Sequence, residues 1–503
     1  MAKRVPNIPM RVRYANKLQI KKINFLFLLL LGLLCVNCSK YDKDAKLSEQ
    51  SAQIFPQYYE LTLPPNIAPL NFIIQEKGSK FRVEISGTQG KKIVIHQNSS
   101  TVQISIKAWH RLLKANAGNT VSVDIWSYHN EVWTKFKTIS HHIATEEIDP
   151  YMVYRLVNAV YLNWRDMGIY QRNLTNFEET PLIKNKSIDH GCVNCHSFAQ
   201  NDPSKMMIHF RILNSGTAIW NDGVLKKVNT KTTHTPSAGI YPAWHPMGKY
   251  IAFSVGSIKP HLTTRTEKIV DVSDGFSDLV IYDVEKNEMQ NIPQLSSERR
   301  ENMPTWSPDG KTLYFISAPE AEEGDLEARM HSQYDLMRIT FDSERNVWGE
   351  VELVLSAAET GKSISMPRVS PNGKYLICSM SDFGYFTIYH KGSDLHLLDL
   401  ETKEYHKLGL NSENSESHSC WSSNGHWLVF SSKSIDGVYT RPHLAYIDEK
   451  GMSGTPFVLP QKDPAHYNHL LSNYNRPELI TGKVHLSENE MRDMVYTKAE
   501  DVK

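Results

Sequence analysis

The sequence shows no excess of positive charge once its first 37 residues are set aside. Those residues contain seven lysines and arginines and no acidic residue, whereas the rest of the chain has 49 basic and 55 acidic residues, a formal net charge of −6. Nucleic-acid binding needs a concentrated basic surface. The composition therefore argues against nucleic acid as a partner.

The longest apolar run near the N-terminus is also too short to span a bilayer. It covers the eleven residues 25–35 and is interrupted only by Gly32, which is the length of a signal-peptide core. The Val-Asn-Cys-Ser-Lys stretch that follows resembles a relaxed lipoprotein signal of Bacteroidetes, with Cys38 as the lipidated first residue. This resemblance implies a cell-envelope protein anchored to the outer membrane, on its periplasmic or surface side. Simple secretion is the alternative.

The chain has only six cysteines, and their positions do not suggest a disulfide scaffold. Cys35 and Cys38 belong to the export signal. Cys378 and Cys420 each lie alone in an apolar, strand-like run, which is typical of small core residues. A disulfide between these two is the less favoured alternative.

The remaining two cysteines belong to the segment His-Gly-Cys-Val-Asn-Cys-His-Ser-Phe at residues 190–198. In an exported protein, C-x-x-C-H marks covalent attachment of haem. Cys192 and Cys195 would bind the two vinyl groups of one porphyrin, and His196 would be the proximal iron ligand. The sequence therefore predicts one haem c.

Two other uses of such a cysteine pair are less well supported. A thioredoxin-like redox pair needs a βαβ setting, which the flanking sequence lacks. A structural zinc site usually needs a second pair of ligands at short spacing, and no second C-x-x-C occurs outside the export signal.

The sequence offers several candidates for the sixth ligand of the iron. Met206, Met207 and His209 follow the motif closely, and in a strand Met207 and His209 share one face while Met206 points away. Met207 and His209 are thus tentative ligands, and a core strand filled by methionine is the alternative. His190 is a weaker candidate. Methionine would favour electron transfer, whereas an open position would favour sensing or peroxide chemistry.

A repeated motif occupies the second half of the chain. It joins an apolar strand end, a tight Ser-Pro-Asp-Gly-like turn and a second apolar strand, and its turn glycines are separated by 62, 63 and 52 residues. Such spacing is typical of propeller blades of four strands each. The four copies cover residues 241–253, 303–315, 366–378 and 419–430.

These repeats closely resemble those of TolB-like propellers, relatives of the WD-repeat propellers, over residues 205–485. The resemblance implies a mostly β fold with five or six blades. Upstream, alternating runs within residues 56–147 suggest a β-sandwich-like domain. The adjacent His141 and His142 there would point to opposite faces of a strand, so we take them as surface residues rather than as metal ligands.

The other predicted segments complete the domain organisation. Residues 1–37 form the signal peptide, 38–55 a linker, 148–204 a connection carrying the haem motif, and 486–503 a C-terminal tail. The Met-Gly-Ile-Tyr-Gln-Arg stretch at 167–172, followed by the motif and the propeller repeats, resembles a group of Bacteroidetes lipoproteins described as TolB-like or cytochrome-c-related.

Two functions follow as hypotheses. The first is electron transfer in the cell envelope between redox partners docked on the propeller. The second is a propeller that binds a protein or glycan partner, with haem as a sensor or a structural element. Hydrolysis is less favoured, because no G-x-S-x-G motif occurs in the chain.

Overall fold

The computed structural model describes residues 45–158, 166–233, 235–262, 270–321 and 325–503. Cys38 and the export signal lie outside the described residues, as does the side chain of Cys195. In the described part of the chain, no helix is long and apolar enough to cross a membrane.

The N-terminal unit contains ten strands and one helix. Strands β1, β3, β5, β6, β8, β9 and β10 form one sheet, strands β2, β4 and β7 form a second, and the helix packs into the core between them. The elements are β1 (Lys46–Ser51), β2 (Ile54–Phe55), β3 (Thr62–Leu63), β4 (Phe72–Ile74), β5 (Lys80–Gly87), β6 (Ile93–Gln97), β7 (Thr101–Val102), α1 (Ile106–Ala115), β8 (Thr120–His129), β9 (Val132–Lys137) and β10 (Ile139–Ile143).

This unit begins earlier than the sequence suggests. Residues 38–55 were expected to form a linker, but β1 pairs in parallel with β9. One helix interrupts the alternating runs of this unit, because β7 ends at Val102 and α1 begins at Ile106. Trp109, Leu112 and Leu113 form its buried face, with the spacing of an amphipathic helix.

The described chain from residue 151 onward forms six sheets, each built on four antiparallel strands. The first two sheets contain β11 (Tyr151–Asn158), β12 (Gly168–Asn173), β13 (Glu179–Lys184), β14 (Cys192–Ala199), β15 (Asp202–Arg211), β16 (Gly216–Asn221) and β17 (Val224–Asn229). The third contains β18 (Ile240–Trp244), β19 (Tyr250–Leu262), β20 (Val270–Asp283) and β21 (Glu288–Asn291).

The fourth to sixth sheets repeat the same pattern. The fourth contains β22 (Arg299–Trp306), β23 (Thr312–Pro319), β24 (Asp335–Asp342) and β25 (Val347–Leu355), and the fifth contains β26 (Ser363–Val369), β27 (Tyr375–Ser381), β28 (Asp394–Asp399) and β29 (Tyr405–Lys407). The sixth contains β30 (Glu416–Trp421), β31 (Trp427–Ser432), β32 (Arg441–Tyr446) and β33 (Phe457–Val458). Two short helices, α2 (Leu326–Met330) and α3 (Ala357–Thr360), lie in the connections between strands. After α4 (His466–His469), strand β34 (Ser472–Ile480) returns to the first sheet.

The six sheets form a ring. Their inner strands β14, β18, β22, β26, β30 and β34 contact one another in a closed cycle. This is the arrangement of a β-propeller and confirms the mostly β, propeller-type fold. The first sheet closes the ring, because its inner strand β34 comes from near the C-terminus while β11, β12 and β13 come from the N-terminal side.

Two segments expected to lie outside the propeller are part of it. Within residues 148–204, the strands β11 to β13 belong to the first sheet and β14 is the inner strand of the second. The haem motif therefore lies on an inner strand rather than on a connection. Residues 486–503 form α5 (Glu488–Tyr496) and β35 (Glu500–Asp501), and β35 adds to β17 in parallel.

The repeated turns explain why the sheets share one geometry. Gly248, Gly310, Gly373 and Gly425 have φ values of +71° to +77°, which favour glycine. In each turn the glycine N–H donates to the carbonyl oxygen three residues earlier, at 2.8–2.9 Å.

The N-terminal unit and the ring share a hydrophobic core. Trp109 of α1 and Trp427 of β31 belong to one buried cluster. Asn71 donates to the carbonyl oxygen of Gln461 at 3.2 Å, and Ser423 donates to Asp149 at 2.5 Å.

Candidate functional site

The inner strands share a backbone distortion, and it lies at the centre of the ring. Each has a β-bulge, and one residue in five of them adopts a left-handed backbone with φ of 47–51°. Such a conformation costs a non-glycine residue about 1–3 kcal/mol and often occurs at functional sites. The five residues line one narrow central channel: Tyr241, Met303, Met366, His418 and Arg476.

The haem motif occupies the corresponding place on the sixth inner strand. The pairing of β14 with β15 shifts register between Val193 and His196, so the bulge contains Asn194 and Cys195. On β18, the equivalent bulge lies between Ile240 and Ala243. The motif is therefore this sheet's copy of the channel-lining segment.

The channel opens into a cavity of about 570 Å³ that Cys192 and His196 both line. This volume falls within the range of about 300–1,000 Å³ that is usual for ligand and cofactor pockets. Apolar walls come from residues such as Val157, Ile240 and Phe386. Cationic side chains also line the cavity, but none of its described lining residues is an aspartate or a glutamate.

His196 is completely buried, and neither ring nitrogen has a hydrogen-bond partner of good geometry among the described residues. Burial holds its pKa well below the usual value, and the nearby Arg476 and Arg155 lower it further. The backbone carbonyls of Val153 and Arg476 act in the opposite direction. A buried polar side chain without a partner is rare and suggests an absent one. A neutral imidazole is also the form that binds iron.

Cys192 is a buried free thiol beside the same cavity. Its Sγ accepts a weak hydrogen bond from Arg211 at 3.5 Å. Cys378 and Cys420 are also free thiols, so the disulfide between them is not formed. Burial raises the pKa of both to about 12, as expected for unreactive core residues.

The tentative sixth ligands lie in different surroundings. Met207 packs in the hydrophobic core between the second and third sheets, whereas Met206 packs in a different cluster on the other face of β15. His209 lines the cavity, and its Nδ1 lies 3.0 Å from Thr217 Oγ1. Burial lowers the pKa of His209 to about 3. His190 is exposed.

His418 is a cavity residue that sequence reasoning missed. It lines both the cavity and the channel, and it lies close enough to His196 for the two rings to interact electrostatically. Burial and three arginines hold its pKa well below the usual value. It stands 222 residues from His196 in the sequence. The only available signal was its place immediately before the fourth repeat, which aligns with the first residue of the other copies, Tyr or Met.

The three arginines around His418 are Arg155, Arg368 and Arg476. Arg155 donates to the side-chain oxygens of Asn194 at 2.5 Å and Asn475 at 3.1 Å. The chain thus places a strongly positive environment next to the haem motif.

The residues present fit a covalently bound haem. The cavity volume lies in the usual range for cofactor pockets, one thiol of the motif lies in the cavity wall, and neither nitrogen of the motif's imidazole has a hydrogen-bond partner of good geometry among the described residues. Among the described residues, no group of three or more His, Cys, Asp or Glu side chains could hold a metal ion.

Comparisons with known proteins give only a general likeness of fold. No protein-family model matches the chain, and a search of curated proteins finds no match. Among solved structures, a nidogen/laminin complex is 7% identical and covers 66% of this chain and 100% of that chain, with a TM-score of 0.37. An oligogalacturonate lyase in complex with manganese is 11% identical (59% and 91%, TM-score 0.32). A prolyl endopeptidase is 11% identical (78% and 49%, TM-score 0.34). Values this low assign no activity.

Proposed function

We propose that the protein carries one haem c in the central cavity and transfers electrons in the bacterial cell envelope. The observation that carries this proposal is the fully buried imidazole of His196 in the wall of a cofactor-sized cavity, where neither ring nitrogen has a hydrogen-bond partner of good geometry among the described residues. Cys192 and Cys195 would hold the porphyrin covalently, and His196 would bind its iron. When bound, haem supplies one-electron chemistry.

The chain's own residues set the conditions for that chemistry. The apolar wall excludes water, and the arginines place positive charge around the site. Besides His196, His418 and His209 are the imidazoles that line this cavity among the described residues, so they are the candidates for the sixth ligand. Met207 is a weaker candidate than these two histidines, because it lies in a packed hydrophobic core.

The rest of the molecule holds the haem site in place and anchors it in the cell envelope. We propose a six-bladed TolB-like propeller, an N-terminal β-sandwich-like unit that packs against it, and a lipid anchor at Cys38. The anchor places the protein on the outer membrane, where the loops of the propeller offer a rigid platform for an envelope protein or redox partner.

Absorption spectroscopy tests the proposal. The full chain is exported in a host that has the c-type maturation machinery, and oxidised and reduced spectra are recorded together with haem staining after denaturing electrophoresis. We expect a covalent haem band in wild type and its loss in the C192A/C195A variant. The C378A variant is the matched control and should keep the band. Wild type without covalent haem contradicts the proposal.

The same spectra separate electron transfer from a sensory role. A six-coordinate spectrum that does not respond to carbon monoxide supports electron transfer. A high-spin spectrum that shifts with carbon monoxide supports sensing and contradicts the electron-transfer part of the proposal.

A further inference from the structure

The central channel contains buried positive charge that the protein does not neutralise. Arg155 and Arg476 are each 7% exposed, and both line the 570 Å³ cavity, whose described lining has no carboxylate. Arg368 lines the adjoining channel. Burying a guanidinium without an anion is costly, because the lost hydration is not replaced.

Arg155 has only neutral partners. Its two terminal nitrogens donate to the side-chain oxygens of Asn194 and Asn475, and its Nε is buried without a hydrogen bond. Within the described part of the chain, Arg155 forms no ion pair with a carboxylate, in contrast to Arg300 and Arg476. One donor of this guanidinium is thus left for an occupant.

Among the described residues, Glu478 is the acidic residue that contacts these arginines. Its Oε1 lies 3.3 Å from Arg476 Nε, and its Oε2 accepts the backbone N–H of Phe198 at 3.1 Å. Burial raises its pKa, which weakens its ability to balance charge. At most one of the three arginines is therefore neutralised.

Arg368 is half-buried, and its guanidinium donates to the carbonyl oxygen of its neighbour Pro367 at 3.0 Å. Burial, followed by repulsion from Arg476, lowers its pKa. His418 and Arg476 line both spaces, the cavity together with Arg155 and the adjoining channel together with Arg368, so the three charges lie around one part of the channel.

We infer that the central channel binds a carboxylate group between Arg155, Arg368 and Arg476. The planar guanidinium of an arginine can donate two parallel hydrogen bonds to the two oxygens of a carboxylate. Hydrogen bonds between two charged groups are stronger than those between neutral groups. The carboxylate comes either from a haem propionate or from a small free dicarboxylate. The site is built from the arginines alone and does not rest on haem binding.

Succinate is the probe that tests this site. Thermal unfolding of the full-length, haem-free C192S/C195S protein is followed at increasing succinate, with sodium chloride at equal ionic strength as the reference. We expect succinate to raise the unfolding temperature more than chloride does. Replacing Arg155 or Arg476 by Gln should weaken the apparent affinity at least about tenfold.

Two further variants keep the test decisive. R368Q changes a half-exposed side chain, so it should weaken binding without loss of the circular dichroism spectrum. R338Q removes a surface arginine that pairs with Glu352 and should bind as wild type does. Equal stabilisation by succinate and chloride, or unchanged affinity in R155Q, R476Q and R368Q, overturns the inference.

The haem-loaded protein identifies the source of the carboxylate. If a propionate fills the site, succinate stabilises only the haem-free protein. If a free dicarboxylate is the ligand, both forms respond. A chain that never acquires haem refutes the proposed function, but the response of the haem-free protein to succinate still decides the inference.

Discussion

The guanidinium of Arg155 lies 2.5 Å from the side-chain oxygen of Asn194, which stands between the two cysteines of the haem motif. Arg155 belongs to β11 of the first sheet and Asn194 to β14 of the second. This bond therefore joins the first and second sheets at the motif. It also places a buried positive charge close to the proposed iron site.

Replacing Arg155 by Gln should lower the midpoint potential of the bound haem. A nearby positive charge favours the reduced iron, which carries one positive charge less, and low polarity strengthens this effect. We expect a decrease on the order of tens of millivolts, measured by spectroelectrochemical titration. R338Q, a surface change, is the control. An unchanged potential in R155Q would place Arg155 too far from the iron to act on it.

Replacing the cavity imidazoles should identify the sixth ligand. We expect either H418A or H209A to convert a low-spin haem spectrum into a high-spin one, because these two rings line the cavity with His196. Absorption and electron paramagnetic resonance spectra report the change.

Replacing Met207 by Leu should leave that spectrum unchanged. Met207 is fully buried in an apolar cluster, so the change should cost less than about 1.5 kcal/mol of unfolding free energy. M206L, in the neighbouring cluster, is the matched control. If the spectrum changes in M207L but not in M206L, Met207 is an iron ligand.

The propeller was predictable because its signals are local and repeated. Each turn glycine is followed by an apolar strand, and the positive φ of Gly310 or Gly373 is what such a turn requires. The closure of the ring was not predictable in this way. It depends on pairing between Arg155 and Asn475 across 320 residues, and no local pattern reports such a distant partner.

The site was predictable only in part for the same reason. Cys192 and His196 are recognised by their spacing, but the motif's bulge is hidden because Asn194 and Cys195 do not resemble the Met-Pro pair found at the bulges of β22 and β26. His418 and Arg476 come from distant repeats and meet only in the channel. His141 and His142 differ in exposure, as expected for neighbours on a strand. His141, however, is buried rather than a surface residue.

Replacing Glu301 by Gln should stabilise the protein at alkaline pH relative to wild type. Burial raises the pKa of Glu301 to about 7, so the folded state binds more protons than the unfolded state between pH 4.5 and 7. Its contribution to stability is present at low pH and is lost as the pH rises through 7. From pH 5 to pH 8, wild type should lose about 2 kcal/mol relative to E301Q.

Denaturant titrations at the two pH values measure this difference. E298Q, which changes an exposed neighbour, is the control and should follow wild type. Parallel behaviour of E301Q and wild type would show that the carboxyl group ionises normally in the folded protein.

Replacing His141 by Asn should make the protein less sensitive to acid. Burial lowers the pKa of His141 from 6.5 to about 4, and its Nδ1 accepts the backbone N–H of Leu61 at 3.3 Å. Between these values the unfolded state binds the proton and the folded state does not, so stability falls as the pH falls from about 6.5 towards 4. Asn keeps an acceptor without this titration.

Between pH 7 and pH 4.5, the free energy of unfolding should therefore fall by about 2 kcal/mol less in H141N than in wild type. Urea titrations followed by circular dichroism give both values. H142N is the matched control, because His142 is the next residue on β10 but is exposed. If H141N and H142N lose stability to acid equally, His141 is protonated in the folded protein, and the buried neutral imidazole is refuted.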